Sequence, residues 1–166
     1  VGSEMCIRDR FLGIMSKLLE SSQTRISMDF QHRLIELISD QECSNSDFAK
    51  LVGVSKDVIS RAVLYGIIPS VRSLIKIADF LNISLEFLLA ETDNPYFYKA
   101  EQPTTFHIRL EQLKDENNTK YSKIAHQMPF ARNLFQEWLR RKTLPSLENL
   151  LSLSEYFNVS IDYLLG

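Results

Sequence analysis

The sequence predicts an all-α protein built from two tandem five-helix domains. Three observations carry this. Apolar residues recur at helical spacing through most of the chain. Only 5 Gly and 5 Pro interrupt its 166 residues. And shifting the sequence by 76 positions aligns two halves without a gap. In that register Phe30, Arg33, Leu34 and Leu37 meet Phe106, Arg109, Leu110 and Leu113. Pro69-Ser70 and Leu74 meet Pro145-Ser146 and Leu150, and Asn82, Ser84, Leu88 and Leu89 meet Asn158, Ser160, Leu164 and Leu165. A repeat of this length is one supersecondary unit copied. The copies span 28–91 and 104–166. Residues 92–103 read as a linker, with turn-forming Asp93-Asn94-Pro95 at one end and Pro103 at the other.

In the first copy Phe30, Leu34, Leu37 and Ile38 form one apolar helix face. Ser44, with Asp47 three residues on, is a capping-box-like start to a second helix carrying Phe48, Ala49, Leu51 and Val52. Gly53 breaks the pattern, and Ser55 caps a third helix running through Ile59 toward Leu64. Pro69-Ser70 starts a fourth, Val71–Leu81, with Leu74, Ile77, Ala78 and Leu81 on one side. Asn82 suits a left-handed helix end, and Ser84 caps a last turn, Leu85–Leu89. The second copy repeats the scheme at Phe106–Asp115, Tyr121–Gln127, Ala131–Arg140, Leu147–Phe157 and Ile161–Leu165. About 60 residues is near the lower limit for a domain that folds alone.

Residues 1–27 stand outside the repeat as an N-terminal tail. Within them Val1–Arg10 has no periodicity and looks like translated sequencing-adapter text, which makes Met15 or Met28 candidate starts. Phe11–Met15 is too short for a secretory signal. Cys6 and Cys43 are too few for a disulfide scaffold, so a reducing, cytoplasmic setting is expected. No apolar run approaches the ~18 residues of a membrane span. The net charge of −2 announces no nucleic acid, so that case rests on local charge.

The order of parts resembles the lambda-repressor-like (Cro-type, XRE) helix-turn-helix family. The resemblance rests on Arg33-Leu34, the run Ser44 to Ala49, the run Gly53 to Arg61, Pro69-Ser70, Leu74, Ile77-Ala78, Leu81 and Ile83-Ser84. Independently of the family, small Ala49 lets two helices approach, and Gly53 can take the positive φ of a tight turn. The next helix then projects outward, its inner face fixed by Val58, Ile59 and Ala62. An α-helix fits the DNA major groove, where polar side chains reach base edges. The resemblance implies a DNA-binding transcriptional regulator of bacterial or phage type, whose second helix of the pair reads bases from its N-terminal half. Carried over by position, the reading residues of copy one are Ser55, Lys56, Asp57, Ser60 and Arg61, with Asn45 as a phosphate contact.

In copy two the corresponding positions hold Ala131, Arg132, Asn133, Gln136 and Glu137. Arg132 suits guanine, and Asn133 or Gln136 suits adenine. Lys120, Lys123, Arg140, Arg141 and Lys142 surround them as phosphate neutralisers. Residues 104–166 hold 8 basic and 7 acidic side chains, against 6 and 9 in 28–91. Copy two therefore has the better charge and the worse turn. Pro129 stands where copy one has Gly53, and Ala131 replaces the capping Ser55. Copy one departs from the family too, with Val63 at a usual Glu position and the glycine of Tyr65-Gly66 shifted by one.

Trp138 is expected to pack in its own domain. His32, His107 and His126 are scattered without partners at metal-ligand spacing, so no metal or other cofactor is expected. No nucleophile elbow, P-loop or paired carboxylates suggests an enzyme. The expected partners are double-stranded DNA and, as an open alternative to a monomer, a second copy of the chain in a homodimer. Two modules in one chain would cover two half-sites as a dimer of single modules does. The alternative is a protein-interaction or antitoxin-like module in which one or both copies no longer bind DNA.

Overall fold

A computed structural model describes residues 25–96 and 103–166, which fall in two compact units. The expectations for Val1–Arg10 and for Cys6 lie outside these residues. Among the described residues the protein is helical, with no strand beyond one isolated bridge, Ile26 to Ile67.

The first unit has five helices: α1 (Met28–Asp40), α2 (Asn45–Val52), α3 (Lys56–Tyr65), α4 (Val71–Leu81) and α5 (Leu85–Leu88). A serine hydroxyl caps every one of them. Ser27, Ser44, Ser55, Ser70 and Ser84 each accept a hydrogen bond from the backbone N–H three residues on. Each such cap is worth about 1 kcal/mol. Helices α2, α3 and α4 end on left-handed residues, Gly53 at φ 75°, Gly66 at φ 66° and Asn82 at φ 54°. Phe30, Leu34, Phe48, Ile59, Leu74, Ile77 and Leu88 form the fully buried centre. Leu37 and Leu81, expected on the apolar faces, are only half-buried. At the α2 start, Ser44 Oγ donates to Asp47 Oδ2 at 2.6 Å. The carboxylate thus serves the hydroxyl, whereas a reciprocal capping box would serve the Ser44 N–H.

The unit is larger than the repeat register suggests. Ser27 N–H donates to Gly66 O at 2.9 Å and Ile68 N–H to Arg25 O at 2.9 Å, so residues 25–27 belong to the domain and not to a tail. The first linker residues also fold back. Ser84 N–H donates to Pro95 O, and Arg33 binds Asp93 at 3.0 Å.

The second unit holds α6 (Phe106–Glu116), α7 (Tyr121–Gln127), α8 (Asn133–Arg141), α9 (Leu147–Phe157) and α10 (Ile161–Leu165). Every helix begins within two residues of its first-unit counterpart in the 76-residue register. Asn158, at φ 54°, repeats Asn82, and Ser146 and Ser160 repeat the caps of Ser70 and Ser84. The divergence lies around α7 and α8. Lys120 and Arg132 precede them without a capping side chain. Met128 is extended at φ −96° and ψ 151°, as a residue before proline must be. The predicted start of α8 at Ala131 is therefore corrected to Asn133. A four-residue turn, closed by Leu134 N–H donating to Ala131 O, leads into the helix, and alanine at 131 has no side chain to cap it. Aromatic rings close the resulting space. Trp138, 5% exposed, meets Phe130 at 5.2 Å and Phe135 at 5.4 Å, and Phe106 lies edge-on at 6.4 Å.

Candidate nucleic-acid interface

The α2–α3 connection of the first unit is a tight turn, Gly53-Val54-Ser55. Gly53 and Val54 N–H both donate to Ala49 O at 3.0 Å, which folds the chain back over buried Ala49. An added Cβ at Gly53 would meet no atom within 4 Å, so the positive φ alone calls for glycine here. Lys76 of α4 donates from Nζ to Gly53 O at 2.8 Å and ties the turn to α4. This tie spans 23 residues, and no local pattern foreshadows it.

Helix α3 is anchored by Ile59 and Ala62, both fully buried, and by half-buried Val58. Ser55, Lys56, Asp57 and Arg61 are exposed, as is Asn45 at the start of α2. Ser60, expected on the outer face, is half-buried. It lies one residue beyond Ile59 and so reaches the edge of the packed face. Asp57 sits in the first turn of α3, where a carboxylate complements the helix dipole. The exposed set thus mixes cations, a carboxylate, an amide and one hydroxyl, groups able to meet base edges and phosphates.

In the second unit Arg132, Asn133, Gln136, Arg140, Arg141 and Lys142 are all exposed. Arg132 lies just outside α8, with Nη2 3.1 Å from Nδ1 of His126 across the turn. Arg141 pairs with Glu137 at 2.9 Å one turn back along α8. Among the described residues Arg140 and Lys142 have no ion pair. Lys142 ends the helix in the left-handed region, φ 52°. Tyr121 stands where the first unit has Asn45. Its ring packs against Phe135, its hydroxyl is buried without a partner, and burial pushes its phenol above the ordinary value. The exposed amide of unit one thus has no exposed counterpart in unit two.

The first unit's geometry has a sequence counterpart. Residues 40–88 match a helix-turn-helix family model. The helix-turn-helix match covers α2 to α5 and includes the Gly53 turn. A curated relative, the HTH-type transcriptional activator BcrR of Enterococcus faecalis, is 33% identical over 61 residues. That stretch is 37% of this chain and 30% of the relative, so the chain spans under a third of the relative's length. No solved structure matches the chain. Among the described residues no helix is long and apolar enough to cross a membrane, and no group of three His, Cys, Asp or Glu is placed to hold a metal ion.

Proposed function

We propose that the protein is a sequence-specific DNA-binding transcriptional regulator with two helix-turn-helix units in one chain. One observation carries the reading. The Gly53 turn, inside the matched span, holds α3 so that Ser55, Lys56 and Asp57 face solvent at its start and Arg61 near its middle. In this reading α3 enters the major groove and those side chains meet base edges. The second unit supplies another helix, α8, with Asn133 and Gln136 toward bases and a basic end toward phosphates. Two units in tandem would cover two half-sites, as a dimer of single modules does. The site of action would then be the cytoplasm, where the DNA of a bacterium lies.

A second reading is a protein-interaction module. It is favoured by the acidic excess of residues 28–91 and by the exposure of Leu51, Leu64 and Tyr65, each over 60%. The test is selection of bound duplexes from a random pool, followed by titration of the selected site at rising salt. DNA binding predicts one enriched motif and a log–log salt slope of about −0.9 per phosphate contact. No enrichment, with salt-insensitive capture of a protein, would transfer the function to the second reading.

A further inference from the structure

The basic end of α8 carries its own counter-ion. Glu137 Oε1 lies 2.9 Å from Arg141 Nη1 in an ion pair, and the side chains are 38% and 60% exposed. In the 76-residue register Glu137 occupies the position of Arg61 and Arg141 that of Tyr65. At the place where α3 displays an unpaired arginine among the described residues, α8 displays a carboxylate that holds an arginine. A carboxylate offers a guanidinium the same oxygen pair that a phosphate does. It also repels phosphates brought near it.

We infer that Glu137 is an internal phosphate mimic that withholds Arg141 from DNA and sets how tightly the second unit grips the backbone. The inference rests on the DNA-binding reading above. The phosphate contacts of unit two then come from Arg140 and Lys142, flanking the pair, while Arg141 stays on Glu137. Replacing Glu137 by glutamine frees Arg141 and removes one negative charge from the surface.

The test is a double-mutant cycle in the full chain, with Glu137→Gln, Arg141→Gln and the pair, titrated on the selected duplex and a scrambled one at several salt concentrations. Glu137→Gln should tighten binding to both duplexes by roughly three- to tenfold at low salt and steepen the slope by about 0.9, the value of one further phosphate. Arg141→Gln should change little in the wild-type chain and reverse the gain when added to Glu137→Gln. Trp138 fluorescence, one residue from Glu137, checks that α8 stays packed in each variant. Arg141→Gln weakening the wild-type chain as much as it weakens the Glu137→Gln chain would overturn the inference, because Arg141 would already be free for phosphate. So would Glu137→Gln leaving affinity and slope unchanged while the wild type binds DNA. Failure of the wild type to bind any duplex would overturn both this inference and the reading beneath it.

Discussion

The guanidinium of Arg33 lies 4.1 Å from the centroid of the Phe87 ring, joining α1 to α5. The relationship recurs 76 residues later, where Arg109 lies 4.1 Å from the ring centroid of Tyr163. Each pair ties the first helix of its unit to the last. Arg33 also reaches Asp93, but that carboxylate is fully exposed, so solvent screens the pair. In the second unit Arg109 donates to the Tyr163 hydroxyl and to Gln112 instead.

Arg33→Met should therefore destabilise the first unit by about 1 kcal/mol, the scale of a partly desolvated cation–π contact. Asp93→Ala should leave it unchanged. Urea unfolding followed by far-UV circular dichroism reads both units, while fluorescence of Trp138, the chain's single tryptophan, reads the second alone. An Asp93→Ala loss equal to that of Arg33→Met would assign the stabilisation to the ion pair rather than the ring.

The two left-handed glycines of unit one should respond differently to alanine. At Gly53 the Cβ meets open space, so Gly53→Ala should cost about 1–2 kcal/mol through backbone conformation alone. At Gly66 the Cβ would approach Ser27 O to 2.8 Å, against the segment that donates to Gly66 O. Gly66→Ala should therefore exceed about 2 kcal/mol, since strain adds to conformation. Equal losses would show that the Ser27 segment yields freely.

Asp47 gives the fold an acid dependence. The Ser44 hydroxyl, then Lys50, hold its carboxyl below the ordinary aspartate value. A depressed folded-state pKa stabilises the fold above the unfolded-state pKa, and that contribution disappears as pH falls through the folded value. NMR titration should place Asp47 below the ordinary aspartate value, and Ser44→Ala should move it back toward that value. An Asp47 that titrates normally in the wild-type chain would remove the Ser44 hydroxyl from this role.

Much of this was legible in the residues. Serine caps and the Gly53 and Asn82 helix ends are local chemistry, written within three or four positions, and all stand where the sequence puts them. The ends of α9 and α10 coincide with their predicted ranges for the same reason, and α7 ends as predicted because the residue before Pro129 is held extended. The remaining features are set by tertiary packing, which local chemistry does not encode. Pro129 announces a changed turn, but not that Phe130 packs against Trp138 beside it. Nor do the exposed charges reveal their partners. Lys76 reaches Gly53 and His126 meets Arg132 through contacts that depend on where helices lie, whereas the Glu137–Arg141 pair is an i,i+4 spacing that the sequence does offer.

The two units should divide the work of binding, and the division follows from charge and turn geometry. Unit one has the regular Gly53 turn, a capped α3 and the exposed Lys56 and Arg61, but its repeat carries 6 basic side chains against 9 acidic. Unit two has an irregular turn and an uncapped α8, but Arg132, Arg140, Arg141 and Lys142 lie exposed at the ends of that helix. Base discrimination needs a rigidly placed helix, whereas phosphate attraction tolerates looser placement. Replacing the four cations of unit two with glutamine should weaken binding to specific and scrambled duplexes alike and flatten the salt slope by about 0.9 per lost contact, with Arg141, held by Glu137, adding none. Lys56→Ala or Arg61→Ala should instead change the preference among sites, by about 1–3 kcal/mol for a good base contact. The measurement is a titration of both duplexes at several salt concentrations. A unit-two variant that keeps its slope would make the basic cluster a solvated helix end, stabilised by the α8 dipole and not by DNA. Loss of site preference in that same variant, with none in Lys56→Ala or Arg61→Ala, would exchange the roles of the two units.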